Sequence, residues 1–348
     1  MDGAEGTAAM ETANDYIAEI LRQIEPDSEV LAEARTRRDL VAAKAMSLRG
    51  TLRQYSSGSV AHGNVTAPIN DADGGIVLDR RIHTKLGPEG DNEGPEKVIE
   101  ELKELVGPKI RAKYSKARIS TSRRGLLVTF GSPLSDQDPS VDMIVTLTRK
   151  KGDGLWIPNL KSNTWDASHP EQHTDLFTSG TTTLRQQRST ITRLAKVWNK
   201  QFTNPALSSF NVSSLAWELI TKTNSDTAEA LQEFFALSAQ AIGQNNTKDP
   251  AGVSSSIRLL QSRSIAVRRL QSAARSLEKA ISSKDPNGIQ ESMAAVFHHY
   301  VDPPASSKAA WAAAFRNKDS SVGVTASGLA IGTGETLKST RSFGGPAE

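Results

Sequence analysis

The sequence predicts an α+β protein in two parts: helices with a small sheet first, then a lobe that is helical throughout. Three observations carry this. Ile17, Ile20, Leu21 and Ile24 recur at helical spacing near the start. Short β-branched and apolar runs, bounded by Gly, Asn and Asp, punctuate the chain between Leu52 and Leu147. From about residue 181 onward the apolar residues return to a period near 3.6. At 348 residues the chain is long enough for two lobes, each with a core.

Taken in order, residues 1–11 are small and polar and are expected to be flexible. Residues 12–24 form the first helix, which Pro26-Asp27-Ser28 ends while capping a second from Glu29 to Leu48. Leu52 to Ser57 reads as a strand running into Gly58-Ser59, and Gly74 to Asp79 as the next strand. After a Gly/Pro-rich loop over 84–96, Val98, Leu102, Leu105 and Val106 mark a helix near 95–106. Arg118–Ser122, Leu126–Phe130 and Ser140–Leu147 are expected strands of a mostly antiparallel sheet. Residues 152–180 read as a long irregular loop, a length that ordered proteins reserve mostly for function. Helices are then expected over 181–202, around Leu215–Ile220, and over 225–242, 253–282 and 285–299. Pro303-Pro304 ends that series, apart from a short helix near Ala309–Phe315, and the Ser/Thr/Gly-rich stretch 317–348 is expected to be a disordered tail. The organisation is thus 1–11, a lobe over 12–180, a helical lobe over 181–316, and a tail.

Composition excludes several classes. There is no cysteine, hence no disulfide, thiolate metal site or Cys nucleophile. No apolar run approaches the ~20 residues needed to span a bilayer. Met1–Met10 lacks the basic and apolar segments of a secretory signal, so a cytoplasmic location without membrane association is expected. Net charge is only +3, but it is uneven. Lys109, Arg111, Lys113, Lys116, Arg118, Arg123 and Arg124 follow one another without an acidic residue, and Arg258, Arg263, Arg268, Arg269 and Arg275 form a second basic stretch. Such stretches are usually solvated faces, and they can also meet phosphates.

One constellation proposes a reaction. Asp71 and Asp73 are spaced i, i+2, which on a strand puts both carboxylates on one face. Asp142 interrupts the apolar run Ser140–Leu147, where an unpaired buried carboxylate would be costly. Three such carboxylates suit a pair of hard Mg²⁺ ions (or Mn²⁺), which clamp the attacking and leaving oxygens of a phosphoryl or nucleotidyl transfer. Upstream, Gly58 permits a close backbone turn and Ser59 offers a hydroxyl and an N–H to a triphosphate. Any one of these pieces is commonplace in turns and loops; their order and spacing make them a candidate site. Gly131-Ser132 repeats the dipeptide without a following Asp pair and reads as a turn.

Gly58-Ser59 followed by Asn70-Asp71-Ala72-Asp73, then Ser140-Val141-Asp142, resembles the DNA-polymerase-β-type nucleotidyltransferases. Within that superfamily the cGAS/DncV-like nucleotidyltransferases are the best match, over roughly residues 12–300. Trp165-Asp-Ala-Ser-His-Pro-Glu-Gln-His-Thr also resembles their segment after the third carboxylate. The resemblance implies a bilobed enzyme with a mixed-sheet catalytic lobe and a helical lobe. It implies Mg²⁺-dependent joining of nucleoside triphosphates (ATP, with GTP, UTP or CTP) into a cyclic di- or trinucleotide, with release of pyrophosphate. Such products serve bacterial anti-phage signalling through a separate effector. Carried over by position, Asp71 and Asp73 bind both metals, and Asp142 binds one and helps deprotonate the attacking hydroxyl. Gly58 and Ser59 hold the triphosphate, Lys196 contacts it, and Ser214 begins a Ser-Tyr pair whose second member is Leu215 here. Some relatives carry tails to which a regulatory or conjugating partner attaches. Nucleic acid is neither required nor excluded. Transfer to tRNA, another RNA or a protein, and a non-catalytic nucleotide-binding role, remain the alternative readings.

Arg185, Arg188, Thr192 and Lys196 are expected on one face of helix 181–202, opposite its apolar stripe. His169 and His173 flank Pro170, so they are not expected to share a helix face as metal ligands. Trp165 and Trp198 are expected to pack rather than stack on bases.

Overall fold

The computed structural model describes residues 11–307. The expectations made for 309–315, for 317–348 and, apart from residue 11, for 1–11 fall outside the described residues. The described chain divides into two compact units: residues 24–185 with 248–257, and residues 11–23 with 186–247 and 258–307.

The first unit holds the sheet. The elements are α1 (Ala13–Gln23), α2 (Ser28–Ala45), β1 (Thr51–Ser57), α3 (Gly58–His62), β2 (Asp71–Leu78), α4 (Glu96–Arg111), β3 (Arg118–Thr121), β4 (Gly125–Thr129) and β5 (Ser140–Thr148). They continue with β6 (Leu155–Asn159), β7 (Thr164–Ser168), α5 (Pro170–Phe177), α6 (Thr182–Lys200), α7 (Ser209–Leu219), α8 (Thr227–Gln244), α9 (Arg263–Ser282) and α10 (Pro286–Val296). The strands lie in the order β1-β2-β5-β4-β3, with β6 on the far end of β5 and β7 on β6. Only β2 and β5 run parallel; every other pair is antiparallel.

The period of two sorts these strands into two faces. Ile76, Leu78, Val141, Met143, Val145 and Leu147 point to one side and pack against Val41, Ala45 and Leu48 from the α2 segment and Val98, Ile99, Leu102 and Val106 from α4. Asp71, Asp73 and Asp142 occupy the alternate positions on β2 and β5 and so belong to the other face. Asp27 starts α2 by accepting the Glu29 and Val30 N–H groups. Within α2, Arg37 is almost wholly buried and bonds Glu33, Asp138, Pro139 O and Ser132 O. Its guanidinium also stacks on Phe130 at 4.6 Å. One side chain thus pins the 131–139 loop that leads into β5.

Three sequence expectations change. The 152–180 stretch is the β6–β7 hairpin followed by α5, with Leu155, Ile157 and Trp165 buried in strands too short for periodicity to register. Pro158 sits there paired with Trp165, away from any central strand. Helix α4 runs past Gly107-Pro108 to Arg111, because Val106 and Ile110 still reach the core. Helix α9 begins only at Arg263, where the Ser262 hydroxyl accepts the Ile265 N–H; the Ser-rich stretch before it is not helical.

The second unit is all helix: α1, most of α6, and α7 to α10. Its core includes Ile17, Ile20, Trp198, Phe235, Leu270, Leu277 and Met293, with the Trp198 and Phe235 rings 4.7 Å apart.

Candidate active site

At one level of the sheet Ser57, Asp73, Asp142 and Leu127 are successive cross-strand partners. Asp73 and Asp142 are direct neighbours on parallel strands, and Asp71 stands two residues along on the same face, opposite Ser140. Asp73 is only 4% exposed. Gly58 closes over it: the backbone there has φ +73°, and a Cβ would fall 1.8 Å from Asp73 Oδ2. No side chain but glycine's leaves room for that carboxylate. The turn then continues directly into α3, a single short helix from Gly58 to His62 that ends at Gly63 with φ +67°.

Asp142 has a fixed partner. The Ser122 hydroxyl, 5% exposed in the β3–β4 turn, donates to Asp142 Oδ1 at 2.8 Å. Nothing in the sequence pattern marks Ser122, which reads there as the end of a strand. Ser122→Ala is expected to lower kcat about tenfold while nucleotide KM changes less than about twofold, since a hydrogen bond to a charged group contributes roughly 1.5–3 kcal/mol. Initial rates at saturating nucleotide, with Ser122→Thr as the conservative rescue, check this.

Gly75 is explained by its neighbour. It pairs with Tyr55 across β1–β2, and a Cβ at Gly75 would fall 2.2 Å from Tyr55 Cζ. The Tyr55 ring covers the glycine, on the face that bears the carboxylates, and burial pushes its phenol well above the ordinary value.

Helix α5 buttresses β1 and α3. Arg53 forms a two-pronged bond to Glu171 at 2.8 and 2.7 Å. Thr174 Oγ1 donates to Ser56 O, and His62 meets Thr174 Oγ1 at 3.2 Å and the Phe177 ring at 5.0 Å. His169 caps α5 by accepting the Gln172 N–H at 3.2 Å, so it stands outside the helix that holds His173. His173 pairs instead with Asp249, both buried. Asp249 also accepts the N–H groups of Val253 and Ser254. Burial opposes its charge, but the His173 bond and these N–H groups more than offset it and hold its carboxyl far below the ordinary value. Its folded pKa is thus depressed, so its stabilisation is full above about pH 4 and fades as pH falls below that. Asp249→Asn is expected to cost about 3 kcal/mol at pH 7. The gap from the wild type should shrink below about pH 4, as urea titrations at several pH values would show.

The remaining sequence candidates lie in the helical unit. Lys196 and Thr192 on α6 are 5% and 2% exposed, not on a solvated face. Arg188 donates to Ile220 O at 2.8 Å, at the end of α7. Ser214 is 1% exposed, and its hydroxyl donates to Phe210 O one turn back, which leaves its lone pairs available. Trp165 and Trp198 are both buried.

Among the described residues no three His, Asp or Glu side chains are gathered closely enough to close around a metal ion. The donor set nonetheless fits a hard divalent cation: three carboxylates on one face of adjacent strands, under a backbone turn that a Cβ would block.

Residues 10–179 match the family described as the Second Messenger Oligonucleotide or Dinucleotide Synthetase (SMODS) domain. No curated protein sequence matches the chain. Among solved structures, CdnC of E. coli MS115-1, in complex with HORMA-deltaN, is 17% identical with a TM-score of 0.63, over 82% of this chain and 97% of that one. CdnE of Elizabethkingia meningoseptica, a cyclic dinucleotide synthase solved with GTP and Apcpp, is 14% identical with a TM-score of 0.56, over 75% and 96%. DncV of Vibrio cholerae, a cyclic AMP-GMP synthase solved with the linear intermediate 5′ pppA(3′,5′)pG, is 12% identical with a TM-score of 0.53, over 83% and 87%. The fold is therefore that of the polymerase-β-like nucleotidyltransferases. Residues 10–179, just under half of the chain, thus carry the match to a SMODS domain. No helix among the described residues is long and apolar enough to cross a membrane.

Proposed function

We propose that the protein joins nucleoside triphosphates into a cyclic di- or trinucleotide second messenger, releasing one pyrophosphate per bond formed. The observation that carries this reading is the strand register that sets Asp73 beside Asp142, with Asp71 on the same face and Gly58 pressed against Asp73. Asp71, Asp73 and Asp142 would hold two Mg²⁺ or Mn²⁺ ions, which neutralise phosphate charge and acidify the attacking hydroxyl. The Gly58-Ser59 turn offers backbone N–H and hydroxyl groups to the triphosphate, and the family resemblance adds Lys196 and Ser214 as further proposed contacts. A ribose hydroxyl of one nucleotide attacks the α-phosphorus of another, its proton passing to Asp142. The bond from the α-phosphorus to the bridging oxygen breaks, and pyrophosphate leaves. A second or third transfer closes the ring.

The nucleotides solved with CdnE, and the linear intermediate solved with DncV, support triphosphates as substrates. The HORMA complex of CdnC supports a regulatory partner. We place the product in cytoplasmic anti-phage signalling through a separate effector. The test is incubation of the purified chain with labelled triphosphates and Mg²⁺ or Mn²⁺. A phosphatase-resistant product of cyclic mass is expected; transfer only to an added RNA or protein acceptor would overturn the proposal.

A further inference from the structure

The parallel strands β2 and β5 carry the carboxylates at one end, and their opposite end opens into a cavity of about 440 Å³. Its lining includes Leu52, Asp79, Arg80, Arg81, Arg149 and Lys150. Asp79 follows the last residue of β2, roughly 25 Å along the strand from Asp71 at ~3.3 Å per residue. None of the lining residues belongs to the candidate active site.

Charge is unbalanced here. The one lining carboxylate, Asp79, is taken up by Arg81, which donates to both its oxygens. Arg80 is held by Thr148 O and Leu86 O and lies 3.6 Å from Glu89. The Glu89 carboxylate also accepts the N–H groups of Lys150, Lys151 and Trp156. Arg149 donates to Asp153 O and stacks over Trp156 at 4.9 Å. Among the described residues neither Arg149 nor Lys150 forms an ion pair. Two positive charges are thus left uncompensated at the mouth of a concave surface, where low-dielectric walls strengthen their field.

An apolar component accompanies them. Leu52 and Ile82, 45% and 50% exposed, are the exposed large hydrophobic residues of the described chain. Leu52 lines the cavity, and Ile82 neighbours Arg81 and lies against Gly50, two residues before Leu52. The methylene stems of the basic residues extend this surface. The volume falls in the range of small-molecule sites.

We propose that this pocket is a second ligand site, for a small organic anion in which a phosphate or carboxylate is attached to a compact apolar body. The anionic group faces Arg149 and Lys150, and the apolar body lies on Leu52. The proposal does not depend on the reaction assigned to the carboxylate face.

Calorimetric titration of the full chain with phenyl phosphate, in EDTA so that no turnover occurs, tests it. Saturable binding is expected, tighter than for inorganic phosphate or benzyl alcohol, and weakening with added salt. Lys150→Glu and Leu52→Asp, both at exposed positions, are each expected to weaken it about tenfold or more, through charge reversal and loss of the apolar wall. Excess ATP should not displace the probe. Absence of saturable binding, full affinity in both variants with unchanged melting curves, or competitive displacement by ATP would each overturn the proposal.

Discussion

Asp73→Asn is expected to reduce nucleotide joining by about a thousandfold or more, the scale on which preorganised charge at such a centre acts. The substitution keeps the shape of a residue that is 4% exposed and lies between Ser57, Asp142 and the Gly58 backbone. The fold should therefore survive. Removing one of three like charges relieves repulsion, so the melting temperature without divalent cation should hold or rise. Added Mg²⁺ or Mn²⁺ should raise the melting temperature of the wild type and leave that of the variant nearly unchanged, because a ligand stabilises only a protein that binds it. Loss of activity together with loss of folding, or activity within tenfold of wild type, would remove Asp73 from the assigned role.

Gly58→Ala carries the second large effect. Two terms add. An L-residue at φ +73° costs about 1–2 kcal/mol. The added methyl also lands 1.8 Å from Asp73 Oδ2, with Asp73 Cγ and Cβ only 2.6 and 2.8 Å away. Either the turn or the carboxylate must move by about an ångström, and displacement of that size costs roughly a hundredfold in rate. A matched control lies five residues on. Gly63 has φ +67° with nothing within 4 Å of a Cβ, so Gly63→Ala should show only the backbone cost. Steady-state rates and melting temperatures of the pair separate crowding of Asp73 from strain of the turn; equal losses in both variants would refute the crowding argument.

Much of the carboxylate face was legible because a strand alternates. Spacing i, i+2 aligned Asp71 with Asp73, and the apolar run around Asp142 fixed which of its neighbours turn inward. That the two strands would lie parallel, with Asp73 beside Asp142, is a long-range pairing that no local pattern encodes. Ser122 was invisible for the same reason: its partner is 20 residues away. The β6–β7 hairpin was read as loop because Pro158, Asn159 and Asn163 break up its short apolar runs, and tertiary pairing overrode that local signal. On α6 the helix was legible, but the burial of Lys196 and Thr192 was not, since it comes from tertiary packing.

The His173–Asp249 pair bears on where this protein can be cut. The matched family segment ends at residue 179, whereas the compact unit that contains it also recruits residues 248–257 from between α8 and α9. A recombinant fragment drawn along the family boundary would leave the His173 imidazole without its carboxylate and Gly154 without its neighbour Val253. The folding unit is thus discontinuous in sequence, and a graft or truncation that preserves it must carry both pieces or supply a linker in place of the helices between them.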